Sequence, residues 1–403
     1  MATKLLEIEL SESIHDLVLD GQFESYRILI RYKRQPIGWI HFSSKGEKKV
    51  SAAELETAML HQLSPAIIHT ALNKNLGNIT CTYMPHQGIS IVVCTRDRAS
   101  SLRNCLASLM ESVYTNYEII VVDNAPSNDD TLDVCHQYPV KYVRELRPGL
   151  DWARNRGLSE ASNDIIAFTD DDVRVDKYWL QAINHIFSNR EIMGASGYVA
   201  PAEMETGAQE LFEFGYGGMG HGFRRRHIYK DKISKQELFW ASSFGIGANM
   251  AFRKEVFAAC GLFHTALDVG TPSHGGGDVE MFHRIVSKGF HFVYDPTMMV
   301  WHHHRRTEQQ LKKQIYDNGR SFGCYLIHCL KNSSIPPVHL LYYFLKEWLY
   351  KWNIKNLLSP HKIPRNFTWQ EIKGMLSSPW AYYKTMKWNK TISAGKYANK
   401  ATN

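Results

Sequence analysis

Three consecutive carboxylates, Asp170, Asp171 and Asp172, follow the apolar run IIAFT. Like charges side by side at the end of a buried segment repel one another, so their presence asks for a counter-charge. A divalent cation supplies one: Mg²⁺ or Mn²⁺ takes oxygen ligands and typically binds one or two carboxylates together with substrate phosphates. Capping of the following segment by Asp172 or Asp176 is the other reading, and it accounts for one acid, not three. A DxDxT phosphatase motif starting at Asp170 is excluded because position 174 is Arg174. Two glycine-rich stretches also bear on chemistry. Residues 215–223 (GYGGMGHGF) precede Arg224, Arg225 and Arg226, as in a lid that meets phosphate or in a flexible charged loop. In HGGGD, residues 274–278, the glycines let backbone approach a ligand closely or simply make a turn, and Asp278 lies beside them. A histidine group, residues 302–304, reads as a metal or phosphate contact or as a polar surface.

The elements that must position these groups are strands alternating with helices. ISIVVC (89–94) and YEIIVVD (117–123) are continuous apolar runs, as expected of strands covered on both faces. VKYV (140–143) and DIIAFTD (164–170) complete a set of four. Helical spacing separates them at 101–112, in DTLDVCHQY and in GLDWARNRGLSEA. This alternation predicts βαβ units and a mostly parallel sheet, with ligands at the carboxyl ends of its strands. Asp97, Asp123 and the triple aspartate all fall at such ends. FGIGANMAFRKEVF (244–257) reads as a further strand followed by a helix starting near Arg253.

Before this region, residues 1–85 read as a small α+β unit. LLEIEL and SYRILIRYKRQPIGWIHF are strands, the latter turning at residues 35–38, and AAELETAMLHQL is a helix. After it, residues 326–403 form a basic, aromatic extension. Its Lys and Arg from position 341 onward number eleven against two acids, so this tail alone exceeds the net charge of +7 and the remainder is slightly acidic. Leu341, Phe344, Leu345, Trp348, Leu349 and Trp352 recur at helical spacing as an apolar stripe. Lysines interleaved with Trp and Tyr suit either an anionic membrane interface or a helix packed on the catalytic domain. No nucleic-acid-binding motif accompanies them, so no nucleic-acid partner is expected. No run of about 18 uncharged apolar residues is present, nor a secretion signal at the start. The seven cysteines are scattered without a CxxC pair, which points to a reducing compartment and away from a cysteine zinc site. A cytoplasmic protein, at the cytoplasmic face of a membrane through its tail, is the expectation.

Five segments, in order from Ile89 to Arg306, resemble the family 2 glycosyltransferases of GT-A fold, of the bacterial surface-polysaccharide type. They are ISIVVCTRDRASSLRNCLASL, YEIIVVDNAPSNDDT, RPGLDWARNRGLSEASNDIIAFTDDDV, GGGDVEMFHR and VWHHHR. The resemblance implies an inverting transfer of a sugar from a nucleotide-diphosphate donor, by family frequency a UDP-sugar, to a hydroxyl of a glycan or lipid-linked acceptor. It implies that Thr95, Asp97 and Asp123 hold the nucleoside, with Arg147, Arg154 and Asn155 near the donor. It implies a DxD pair of Asp170 and Asp172, with Asp171 beside it, on Mn²⁺ or Mg²⁺, and a metal or phosphate contact from His302 or His304. Asp278 is implied as general base, Glu280 as its support, and Gly247 to Asn249 as neighbours of acceptor and donor sugar. Many members have Glu where this chain has Gly277, and CTRDR stands where PTYNR is usual.

An inverting transfer is one in-line displacement. It needs a base for the acceptor proton and stabilisation of the leaving diphosphate, which a lone carboxylate and a metal cluster provide. A glycosidase would want a pair of flanking carboxylates and no triple aspartate. The alternatives are a sugar-nucleotide nucleotidyltransferase, disfavoured because CTRDRASS lacks glycine, and a non-catalytic nucleotide-binding scaffold, which the Gly277 departure suggests. Domains are expected at 1–85 (accessory), 86–325 (GT-A catalytic) and 326–403 (helical extension).

Overall fold

The computed structural model describes residues 2–44, 46, 48–63, 86–333, 336–360 and 362–393. The expected accessory-domain boundary at 85 and the last ten residues of the tail lie outside them. At the centre is a nine-stranded sheet. Its strands are β4 (Ile89–Thr95), β5 (Tyr117–Asn124), β6 (Lys141–Glu145), β7 (Ile165–Asp170), β8 (Val173–Val175), β9 (Ile192–Pro201), β10 (Arg226–Ile228), β11 (Asn249–Arg253) and β12 (His291–His302). The order is β8-β12-β9-β11-β7-β4-β5-β6, with β10 pairing beside β12. Strands β4 to β7 pair in parallel, and β9 pairs in parallel with β12; β8, β10 and β11 run against their neighbours. This is the α/β sheet that the alternating pattern predicted, with the GT-A-like architecture that the resemblance implied.

The continuous apolar runs are explained by the pleat, which sends successive side chains to opposite faces. Ile91, Val93, Ile119 and Val121 join one core with Leu102, Cys105, Leu106 and Leu109 of helix α1 (Ala99–Met110). Val92, Val122 and Ile120 join another with Ala153 and Leu158, which lie on α3 (Leu150–Glu160), the helix that follows α2 (Asp130–Cys135) and β6. Every residue of β4 is buried. Full burial of each such side chain contributes about 1.5–3 kcal/mol, so an acid tolerated at these strand ends needs a specific partner.

The N-terminal strands β1 (Thr3–Glu9), β2 (Ser25–Tyr32) and β3 (Gln35–Ser43) form a separate small sheet. One face, with Tyr26, Ile28, Ile30 and Ile40, packs on Leu55 and Met59. The other is not free. Leu29 and Trp39 pack on Tyr198, Met299 and Trp301 of the large sheet. Arg27 pairs with buried Glu213 at 2.9 Å, and Arg31 with Asp176 at 2.6 Å. The hairpin differs from the expectation of a turn at residues 35–38. It reverses at Lys33 and Arg34, both with positive φ (48° and 70°), and Gln35 already belongs to β3. A two-residue loop with both φ positive matches strand twist. Glycine is not needed because the Glu9 carboxylate accepts from both amides, at 2.8 and 2.7 Å.

The C-terminal helices pack on the catalytic domain. Helix α6 (Glu308–Asn332) begins at a Thr307–Gln310 capping box and runs without interruption through the expected division at 325/326. After α7 (Pro337–Tyr343), residues Phe344–Ile354 wind as a π-helix, and α8 (Arg365–Ser393) crosses α6. Gly319 and Gly374 make that crossing close: a Cβ on either would stand about 2 Å from a carbonyl oxygen of the other helix. The π-winding splits the anticipated apolar stripe. Trp348 is buried and Trp352 faces inward toward Glu371, whereas Leu341 and Leu345 stay about half exposed. No described helix is long and apolar enough to cross a membrane.

Candidate active site

The triple aspartate is the link between β7 and β8, and its side chains alternate. Asp170 and Asp172 turn to one side, where one ligand atom from each lies within 4.8 Å of a ring nitrogen of His302. His302 reaches this point because it ends β12, opposite Val173. Its Nε2 is 3.4 Å from Asp172, and its buried Nδ1 has no hydrogen-bond partner. Burial disfavours a charged Asp172, yet His302 and Arg98 overcome that and hold its carboxyl well below the usual range. Burial pushes Asp170 up; Arg154 and His302 oppose this, while Asp172 and Asp278 add to it. Two crowded carboxylates and an imidazole fit a divalent cation, which would relieve that repulsion. Asp171 turns the other way. It accepts from the Thr95 hydroxyl and from Arg98, both at 2.7 Å, and burial raises it to about 7. Asp171 and Thr95 thus hold each other, and Arg98, which also donates to Asp172 at 2.8 Å, ties the β4 loop to the aspartates.

The remaining strand-end acids are Asp123 and Asp97. Asp123 is fully buried; one oxygen accepts from the Tyr142 hydroxyl at 2.8 Å and the other is without a partner. Burial raises its carboxyl, so a ligand donor there would be welcome. Asp97, at φ 53°, accepts from the Ser127 amide at 2.8 Å and so braces the loop after β5.

Asp278 sits in the first turn of α5 (Gly277–Ser287), after α4 (Trp179–Ile186) and β11 in the chain. The Gly247 amide donates to its Oδ2 at 2.7 Å. A Cβ at Gly247 would lie 2.6 Å from Arg154 and 2.8 Å from that oxygen, so glycine there admits both groups. Arg154 is buried, pairs with Asp151 at 2.9 Å, and is kept charged against burial by Asp151, Asp278 and Asp170. Asp170, Arg154, Gly247 and Asp278 share a narrow cavity of about 130 Å³. Asp151 explains Gly277. A Cβ there would stand 1.8 Å from Asp151 Oδ2, which has no partner of its own. Burial and neighbouring Asp268 push Asp151 well up, against the pull of Arg154. Asp268 itself accepts from the Leu150 and Asp151 amides, each at 2.8 Å, and so caps α3 from outside that helix.

Several expected residues have partners within the fold. Asn155 clamps the backbone of Phe263 through both its amide atoms (3.0 and 2.9 Å). Asn249 is fully buried between Trp179 Nε1 and the carbonyls of Tyr198 and Met298, which exhausts its amide. Glu280 pairs with Arg284 at 2.7 Å and lines neither cavity at Asp278. Arg147 forks onto Glu145 with two 2.7 Å bonds and stacks on Trp152. His304 departs from the metal group: the chain turns after His302, and its Nε2 meets buried Glu213 at 2.9 Å. Arg225 faces Asp295 at 3.3 Å and Arg226 the Ser243 carbonyl, so neither points at the aspartates. Conversely Arg98, Asp151 and Asp268 were not singled out. The i,i+3 spacing of Asp151 and Arg154 was a readable signal; Asp268 carries none.

Residues 90–261 match the family model described as glycosyl transferase family 2. This part of the chain is a family 2 glycosyltransferase domain. Glycosyltransferase AglE of Haloferax volcanii is 25% identical over 242 residues, 56% of this chain and 70% of that protein. The pre-mycofactocin glycosyltransferase of Mycobacterium tuberculosis is 24% identical over 226 residues, and the match spans 43% of that relative's length. Among solved structures, a mannosyltransferase of Pyrobaculum calidifontis in complex with GDP-Man and Mn²⁺ aligns with a TM-score of 0.52 at 14% identity. It covers 81% of this chain and 97% of that one, a likeness of fold. The GT-A architecture accounts for why the candidate site groups gather at the carboxyl ends of β4, β5 and β7.

Proposed function

We propose that the chain is a metal-dependent, inverting glycosyltransferase that moves a sugar from a nucleotide-diphosphate donor to a hydroxyl of a glycan or lipid-linked acceptor, in polysaccharide assembly. The observation that carries this is the opposition of two carboxylates in one small cavity: Asp170, which shares a candidate cation group with Asp172 and His302, and Asp278. Asp170, Asp172 and His302 would hold the cation, and the imidazole favours Mn²⁺ over Mg²⁺. When bound, the cation supplies charge compensation for the leaving diphosphate. The chain's own residues do the rest. Asp123 takes a donor group of the nucleoside. Arg154, buried among acids, lies where the sugar–phosphate linkage crosses the cavity. Asp278, fixed by the Gly247 amide, takes the acceptor proton as the acceptor oxygen bonds to the anomeric carbon and the bond to diphosphate breaks, its electron pair leaving with the nucleotide.

Calorimetric titration of UDP, GDP, dTDP and CDP, with and without Mn²⁺, tests this on wild type and Asp172→Ala. Metal-dependent binding of one nucleotide, lost in the variant, is expected. No nucleotide binding under any condition would sink the donor site.

The tail is proposed to rest on an anionic lipid face at the cytoplasmic side. Exposed Trp369, Leu376, Trp380 and Tyr383 alternate with Lys373, Lys384 and Lys387 along α8, an arrangement suited to an interface rather than to a core. Co-sedimentation with phosphatidylglycerol vesicles, absent with phosphatidylcholine, is the expected result; equal behaviour on both refutes it.

A further inference from the structure

Asp278 also borders a second, larger cavity of about 630 Å³. That size suits a small-molecule site. Its walls come from the glycine-rich segment after Phe212, from residues 240–246, and from the C-terminal helices. Aromatic rings dominate: Tyr216, Trp240, Phe322, Tyr343, Trp348 and Trp352. Between them stand the amides of Gln314 and Asn318 and the hydroxyls of Ser242 and Ser243, and no Lys or Arg lines the space.

Two independent observations indicate a ligand rather than an imperfect core. Tyr216 Oη and His221 Nε2 are both shielded from solvent and lack any hydrogen-bond partner, and both residues line this cavity. Unpaired polar atoms of this kind are costly unless something pairs with them. Moreover, the described structure has π-helical winding at Leu211–Gly215 and at Phe344–Ile354, and both segments border the same space. Such winding is rare and frequent at functional sites. Trp348 and Trp352 of the second segment both line the space. Tyr216 and Trp352 then lie 6.3 Å apart, ring to ring, across the two segments.

We infer that this cavity receives the acceptor as a neutral pyranose chain end, and that the C-terminal helices complete it against the GT-A domain. The inference rests on the donor reading above and extends it. The C–H faces of pyranose rings pack on aromatic rings, while their hydroxyls need the amide, hydroxyl, phenol and imidazole groups set between those rings. A phosphate, uronate or other anionic sugar would find no cation in the lining and would face Asp278, Glu347 and Glu371. An alkyl chain would leave Tyr216 Oη and His221 Nε2 unpaired, so any lipid portion of the acceptor lies outside this space.

The test is a glycan array of neutral, amino and acidic oligosaccharides, probed with the full chain carrying Mn²⁺ and nucleotide, with prenyl-phosphate micelles alongside. Wild type, Tyr216→Phe and Trp352→Ala are compared. Neutral oligosaccharides are expected to bind. Trp352→Ala should weaken them tenfold or more, and Tyr216→Phe, which removes only the unpaired hydroxyl, several-fold. Nucleotide affinity should change by less than about twofold in both. Preference for acidic glycans or for the micelles overturns the assignment, as does neutral-glycan binding indifferent to both substitutions. Nucleotide binding with no glycan binding overturns it while leaving the donor site standing. Failure of nucleotide binding strikes the donor reading alone, and the response of glycan binding to Tyr216→Phe still decides this one.

Discussion

Replacing Gly277 by alanine should damage the enzyme far more than one methyl group ordinarily does. The new Cβ would lie 1.8 Å from Asp151 Oδ2, 2.7 Å from its Cγ and 2.8 Å from the Leu267 carbonyl oxygen. Asp151 is the movable neighbour, but its other oxygen holds buried Arg154 at 2.9 Å. Displacing it breaks a buried pair, a loss of about 3–5 kcal/mol when one partner is stranded. Alanine in place of glycine in a helix recovers about 1 kcal/mol. The net cost is about 2–4 kcal/mol, which for a domain of this size lowers the melting temperature by about 4–16 °C. Calorimetric melting of wild type, Gly277→Ala, Asp151→Ala and the double variant measures it. Asp151→Ala empties the volume that the new methyl enters, so the double variant should be more stable than the sum of the singles by about 1–3 kcal/mol. Strict additivity, or a Gly277→Ala melt within about 1 °C of wild type, would refute the claim that Gly277 is small in order to seat Asp151.

Three further outcomes are expected. Asp278→Asn keeps an oxygen for the Gly247 amide, so nucleotide binding should persist while donor turnover, followed as release of nucleoside diphosphate, falls about 10²–10⁴-fold; unchanged turnover would leave only a scaffold. Burial raises Glu371 to about 7, against bonds from Trp352 and Trp348, whereas its ordinary value is 4.5. A raised carboxyl contributes stability fully below the unfolded value and loses it as pH rises through the folded one, so wild type should weaken by about 2–3 kcal/mol between about pH 4.5 and 7, and Glu371→Gln should flatten that slope in urea melts taken across the range. Arg27→Met strands Glu213 against His304 beneath the N-terminal sheet, and a loss of about 3–5 kcal/mol should appear as earlier cleavage of that sheet in limited proteolysis.

How much of this was readable before the fold was known follows from what each signal depends on. Strands β4, β5 and β7 were legible because a strand covered on both faces must be apolar at every position. The triple aspartate was legible as a candidate ligand cluster because three adjacent like charges at a strand end ask for a counter-charge whatever surrounds them. The turn after Asp170 sends Asp171 away from Asp170 and His302, to Thr95 and Arg98, and which partners wait there no local pattern reveals. Asn155 and Asn249 show the limit more sharply. An amide satisfies a ligand or a backbone carbonyl equally well, and only the approach of Phe263, Tyr198 and Met298 from distant parts of the chain decides it. Likewise His302 and His304 differ by two positions, yet the end of β12 between them gives one to the aspartates and the other to Glu213. The Gly277 departure is the strongest case. Read along the chain it removes a carboxyl from the acceptor motif and argues for a scaffold. In space the room it leaves is filled by the carboxyl of Asp151, delivered from α3 beside Arg154 and Asp278. A side chain missing from a motif therefore argues against activity only when the volume it would occupy is empty, and here it is not.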